Sequence, residues 1–245
     1  MLVCPAGSAW AATGNPMKDF VKLEESIGVV FKDKSLLTQA FVHRSYLNEH
    51  PSFAFGHNER LEFLGDAVLE LAVTEHLYGN YPNPEGELTN WRAALVNAKA
   101  LAETAKEMGL DEYMYLSHGE AKDAGGKARM YILANAIEAL IGAIHLDQGY
   151  GVATQFINRY VLSQLPTVLA NQLHLDPKSR FQEAAQEIAG VTPNYKVLEE
   201  TGPDHAKHFK VGVYLGDDLV TFGLGTSKQE AQIDAARKGL EVKGW

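Results

Sequence analysis

The chain has 245 residues, 46% of them hydrophobic, enough to bury a sizeable core in one or two domains. A single cysteine, Cys4, excludes an intrachain disulfide framework and fits a reducing compartment. The net charge of −9, taken alone, argues against a nucleic-acid partner. The charge is uneven, however. Residues 176–245 carry 9 basic and 11 acidic side chains, which leaves −7 to the first 175 residues.

In chain order, residues 1–17 read as a disordered tail. They lack the charged start and continuous apolar stretch of a secretory signal. The longest apolar run, 131–146, is interrupted by Asn135, Glu138 and His145 and is short for a membrane span of about 20 residues. A cytoplasmic protein is the expectation. From residue 19 to about 165 the periodicity is helical almost throughout. A short amphipathic helix covers 20–27. A second starts at Ser35 and is expected to run on through Phe41, His43 and Tyr46. The loop 48–56 leads into a helix that reaches about Tyr78. After the break at 79–86, residues 88–108 read as one core helix stopped by Gly109.

The helix beginning near residue 58, NERLEFLGDAVLE, carries Glu59, Glu62, Asp66 and Glu70 at intervals of three, four and four. At 3.6 residues per turn these carboxylates form one narrow stripe between apolar flanks. One reading is a solvated acidic face. The other is a cation site, since a solvated face interleaves both signs of charge and this one does not.

Residues 131–147 form a second informative helix, apolar nearly all round except at Asn135 and Glu138. Such a helix is buried, and a buried carboxylate must be paired, protonated or metal-bound. A buried Asn–Glu pair bonded to neighbouring backbone is the alternative. Residues 166–175 read as a linker. Beyond it the pattern changes to a helix (177–189, Asp176 as N-cap), three strands (195–200, 207–215, 219–224) and a closing helix (227–241). The fold class is therefore mainly α: an all-helical domain, 18–165, followed by a small α+β domain of order α-β-β-β-α, 176–245.

Both halves resemble one family. HNERLEFLGDAVLE (57–70) is similar to the signature of ribonuclease III, the double-strand-specific RNA endonucleases. The upstream FVHRSY (41–46) and the downstream PEGELT (84–89) and LANAIEALIGAIHLD (133–147) follow in the family's order. The C-terminal part resembles the double-stranded-RNA-binding domain through FQE (181–183), GPDHAKHF (202–209) and GLGTSKQEA (223–231). The resemblance spans roughly residues 18–245.

It implies a homodimeric endoribonuclease that cuts double-stranded RNA to leave 5′-phosphates and two-nucleotide 3′ overhangs, with a role in rRNA and mRNA processing. The metal positions implied are Glu62, Asp66, Asn135 and Glu138, with Mg²⁺ as the ion and Mn²⁺ as a substitute. Asp66 and Glu138 are the expected catalytic positions. Glu59 and Glu85 match outer acidic positions tied to RNA handling or a partner subunit, although Glu85 also reads as a solvated loop residue. Phe63 matches an aromatic that inserts into the partner subunit; read by itself it is a core side chain of its own subunit. Where the family has Asp, this chain has Asn135, which offers a carbonyl oxygen without charge. A catalytically weakened or inactive RNA-binding protein on the same fold is the resulting alternative.

In the second domain the resemblance implies that Gln182 and Glu183 face one minor groove and His205 the next, with Ser227 and Lys228 at the phosphates between. Ser227 and Glu230 also read as a capping box that requires no RNA. The near-neutral charge of this domain predicts a shallow salt dependence of RNA binding.

Overall fold

A computed structural model describes residues 18–123, 125–171, 176–203 and 207–245. The expected tail and His205 lie outside the described residues. The chain divides into two compact units, Met1–Asn171 and Gln172–Trp245.

The first unit is helical: α1 (Val21–Ile27), α2 (Lys34–Ala40), α3 (Arg44–Glu49), α4 (Glu59–Asn80), α5 (Glu85–Val96), α6 (Ala98–Glu107), α7 (His118–Lys122), α8 (Lys127–Gln148), α9 (Tyr150–Tyr160) and α10 (Leu165–Ala170), with 3₁₀ turns at Leu110–Tyr113 and Leu162–Gln164. Helix α8 is its centre. Ala136, Ile137, Ala139, Leu140, Ile141, Ala143 and Ile144 are fully buried, so other helices surround α8 as its apolar sequence requires. Among the described residues it is the one helix long and apolar enough to cross a membrane, and most of it lies inside this core.

Four boundaries differ from expectation. The run 35–46 is two helices, because the chain leaves the helix at Phe41 and residues 41–43 are held from both sides, with Val42 bridged to Tyr115 and His43 extended. Tyr115 N–H donates to Phe41 O (2.9 Å) and His43 N–H to Tyr115 O (3.1 Å). On the other side, Asn58 N–H donates to Val42 O (2.9 Å) and the buried Asn58 Nδ2 to Ala40 O (3.1 Å). The run 88–108 is also two helices. It breaks at Asn97, whose backbone is extended and whose side chain accepts from Ala100 N–H (3.0 Å) while donating to Ala94 O (2.9 Å). Asn97 thus finishes α5 and caps α6, a local competition that asparagine offers the helix ladder. Helix α4 continues through Gly79 to Asn80, and the 166–175 linker begins as helix, with Leu165 and Val168 in the first core.

The closest approach in this unit is between α4 and α8. A Cβ on Gly65 would lie 1.8 Å from Glu138 O, and one on Gly142 would lie 2.2 Å from Leu61 O. The two glycines face each other's helix backbones, and any side chain there would force the helices apart.

The second unit comprises α11 (Pro177–Ala189), β1 (Pro193–Thr201), β2 (His208–Leu215), β3 (Asp218–Gly225) and α12 (Lys228–Lys243). Asp176 accepts from Ser179 N–H (3.0 Å) with Pro177 in the first turn, and Gly190 ends α11 at φ 67°. The sheet is antiparallel in the order β1-β2-β3, with a register shift after Val197. Phe209, Val211 and Val213 of β2 face the helices and form small cores with Phe181, Ala231, Ala235 and Leu240. Gly223 lets β3 touch α12, since a Cβ there would be 2.2 Å from Ala235 N.

Candidate active site

The Gly65–Gly142 contact sets the site. Gly65 lies between Glu62 and Asp66 on α4, and the backbone it touches is that of Glu138 on α8. Glu62, Asp66, Asn135 and Glu138 therefore meet at one helix crossing. The Asn135 amide donates to the Glu62 carboxylate. Burial, then the charges of Asp66 and Glu62, push the Glu138 carboxyl up to about 8. The Glu62 carboxyl is raised as well, by burial first and by the charges of Glu59 and Asp66. The hydrogen bond from Asn135 opposes that rise.

No Lys or Arg among the described residues forms an ion pair with Glu62, Asp66 or Glu138. The cluster's carboxylates and the Asn135 side-chain carbonyl offer oxygen ligands of the kind a hard divalent cation takes. A carboxyl raised by burial and by two acidic neighbours, with no basic side chain paired to it among the described residues, is an observation that fits such an ion. Among the described residues no three His, Cys, Asp or Glu side chains are grouped closely enough to hold a metal as they stand.

The other acidic positions separate from this group. Glu59 sits at the rim, 3.3 Å from the Arg44 guanidinium and 3.7 Å from His57 Nδ1, while its charge still reaches Glu62. Glu70 pairs with Arg92 at 2.9 Å, which ties α4 to α5. Glu85 is exposed in the first turn of α5 and accepts from Thr89 Oγ1 (3.1 Å). It lines a cleft of about 410 Å³ with Tyr78, Asn83 and Arg92, and it is not among the charges that shift Glu62 or Glu138. Phe63 is 82% exposed, so it is not a core side chain of its own unit. It shares one face of α4 with Ala67, Leu71 and Tyr78, the last 83% exposed.

In the second unit Gln182 and Glu183 are exposed on α11, next to the buried Phe181. Ser227 caps α12 by accepting from Glu230 N–H (3.1 Å), and Glu230 accepts from Thr226 N–H (3.0 Å), so the cap exists without RNA. Lys228 is exposed, its ammonium 5.6 Å from the Phe209 ring centre. The sequence did not reveal that Asp234 takes up two of the three later cations of α12, Arg237 (2.5 Å) and Lys238 (2.7 Å). Burial would raise Asp234, but Lys238, the Leu224 N–H and Arg237 outweigh it and hold the carboxyl at about 2. The spacing of three and four residues was the available signal.

Residues 33–165 match the ribonuclease-III-like family, and residues 177–243 match the double-stranded RNA binding motif. The chain is 43% identical over 226 residues to ribonuclease 3 of Carboxydothermus hydrogenoformans, covering 92% of this chain and 96% of that one. It is 42% identical to ribonuclease 3 of Enterococcus faecalis, covering 90% and 95%. The nuclease domain of the Campylobacter jejuni ribonuclease III, in a structure that concerns a region involved in dimer formation, superposes with a TM-score of 0.54. It is 42% identical and covers 60% of this chain and 99% of that one. With both domains matched and identity above two-fifths along nearly the whole length, the chain belongs to the ribonuclease III family.

Proposed function

We propose that this chain hydrolyses double-stranded RNA at the α4–α8 crossing with the help of a bound divalent cation, and that it works as a homodimer. The observation that carries the reading is Glu138, a largely buried carboxyl facing two further carboxylates and an amide with no cation to balance them. Glu62, Asp66, Asn135 and Glu138 would hold the ion, and Mg²⁺ suits their oxygen-only donors, with Mn²⁺ as a substitute. When bound, the ion supplies polarisation of the scissile phosphate and a lowered pKa for an attacking water.

Asp66 and Glu138 are the positions whose loss should stop the reaction. Asn135 would contribute a neutral oxygen, and its amide opposes the rise that burial and neighbouring acids impose on Glu62. The amide lowers the charge of the site by one relative to an aspartate and leaves three carboxylates in place, which supports retained activity at a higher metal requirement. Glu59 holds Arg44 and His57 at the rim, where a phosphate backbone would pass. Glu85 lies outside the cluster and is assigned to RNA handling or the partner subunit.

Phe63, Ala67, Leu71 and Tyr78 form an apolar stripe on α4, and a second copy covering it would explain the exposed aromatics. Two sites in such a dimer would cut opposite strands and leave 5′-phosphates with two-nucleotide 3′ overhangs. In the second domain Gln182, Glu183, His205, Ser227 and Lys228 are assigned to the duplex. Structured ribosomal precursor and messenger RNAs in the cytoplasm are the proposed setting, and the proposed domain limits are 18–165 and 176–245.

Mapping both ends of the fragments from a labelled long duplex tests the reading, with sedimentation of the parent and of Phe63→Ala beside it. Two-nucleotide 3′ overhangs, and a dimer that Phe63→Ala weakens, are expected. Binding of duplex without cleavage over a Mg²⁺ and Mn²⁺ series would make the chain a non-cleaving RNA-binding protein.

A further inference from the structure

The sheet of the second unit has one face under α11 and α12 and another that no element of the same unit covers. Side chains alternate along a strand, so Lys210, Gly212 and Tyr214 of β2 share the outer face while Phe209, Val211 and Val213 face the helices. Gly212 pairs directly with Phe222 on β3 and with Lys196 on β1. A Cβ on Gly212 would lie 2.9 Å from Tyr214 Cε2 and from Leu219 Cδ1, so the Tyr214 ring lies across the bare centre of the strand. Phe222 is 41% exposed beside it.

Each ring carries a cation. The Lys196 ammonium is 4.8 Å from the Tyr214 ring centre, and that of Lys210 is 4.2 Å from Phe222. Neither lysine forms an ion pair among the described residues, although Glu199 stands opposite Lys210 in the register. Tyr214 and Phe222 lie on adjacent strands of this face, with a register shift between Val213 and Tyr214 that sets Leu219 opposite Tyr214. Two rings on one open face can each take one base of an extended strand, with the lysines swung from the rings to the neighbouring phosphates. Aromatic rings on an open sheet with interleaved cations suit unpaired nucleotides and not a closed duplex, whose bases are hidden in the stack.

We propose that this outer face, built on Tyr214, Phe222, Lys196 and Lys210, binds single-stranded RNA by stacking two bases. Its position on the sheet opposite α11 and α12 separates it from Gln182, Glu183 and Lys228, which are assigned to the duplex above. The two ammonium groups beside the rings call for anionic acceptors next to flat apolar groups, a pairing that the phosphates and bases of a nucleic acid supply together.

The test is fluorescence anisotropy of the full chain with labelled oligouridylate and oligoadenylate of about six nucleotides. Tyr214→Leu and Phe222→Leu, which keep the face apolar, should each weaken binding about tenfold and leave duplex affinity unchanged. Should a leucine variant melt early by circular dichroism, Lys196→Glu with Lys210→Glu gives the same test at exposed positions, and loss of single-strand binding is expected there too. The proposal is overturned if the parent shows no single-strand affinity, or if the leucine and glutamate variants bind as the parent does. It is equally overturned if the variants abolish a concentration-dependent self-association, which would make the face a contact between copies.

Discussion

Replacing Glu138 by Gln should stabilise the metal-free protein and flatten its pH dependence. In the folded protein the Glu138 carboxyl titrates at about 8 against an ordinary value of 4.5. The folded state therefore keeps a proton that the unfolded chain releases. Stability contributed by this group is fully present below the unfolded pKa and is lost as pH rises towards 8. The full shift corresponds to about 5 kcal/mol, and water at the exposed part of the side chain trims this to roughly 2–3 kcal/mol. Gln imitates the protonated acid at every pH. Urea unfolding of the chelated protein, followed by the fluorescence of the buried Trp91, should show parent and variant within about 1 kcal/mol near pH 5. The variant should be more stable by about 2 kcal/mol or more near pH 9. Adding Mg²⁺ should stabilise the parent and leave the variant nearly unchanged. Parallel stability curves across this range, or a variant weaker throughout, would refute the argument from an unbalanced buried carboxyl.

Gly142→Ala should cost about 3 kcal/mol or more in thermal unfolding, because its methyl would sit 2.2 Å from Leu61 O. Gly151→Ala, which meets nothing within 4 Å, should cost nothing and gain up to about 1 kcal/mol; equal effects would count against the close helix crossing. Asn135→Asp should destabilise the chelated protein by about 1–2 kcal/mol, as a donor to Glu62 becomes a fourth carboxyl in the cluster. The same change should lower the Mg²⁺ concentration for half-maximal cleavage, and an unchanged metal titration would mean that position 135 does not face the ion. Duplex affinity should fall with salt along a shallow slope, and Lys228→Ala should reduce that slope by about one. A slope implying many phosphate contacts would contradict the pairing of Arg237 and Lys238 with Asp234.

What could be read from the sequence was whatever the residues announced by contrast with their surroundings. Glu62 and Asp66 stood out as one sign of charge between apolar flanks. Asn135 and Glu138 stood out as two polar residues in an otherwise apolar helix, and the alternation of Phe209, Val211 and Val213 marked a half-buried strand. The features that escaped depend on partners distant in sequence or on one residue's local choice. Nothing in the pattern of Gly65 and Gly142 says that each lies on the other helix's backbone. Asn97 divides a continuous amphipathic run because its side chain bonds the backbone on both sides, which periodicity does not register. The helix break at 41–43 exists because Tyr115 and Asn58 hold that backbone, and both are distant in the chain. Phe63 has the composition of a core residue, and its exposure was visible only once α4 had a face left uncovered. Glu70 and Asp66 belong to one stripe by spacing, and Arg92 alone separates the ion-paired acid from the unpaired one.

Single-turnover cleavage of an end-labelled duplex by this chain, titrated with Mg²⁺ beside Glu138→Ala, tests the central claim most directly. Rates should rise with Mg²⁺ for the chain as it stands, with Asn135 in place, and fall by at least about a thousandfold in Glu138→Ala. Metal-independent cleavage, or cleavage that survives in Glu138→Ala, would contradict it.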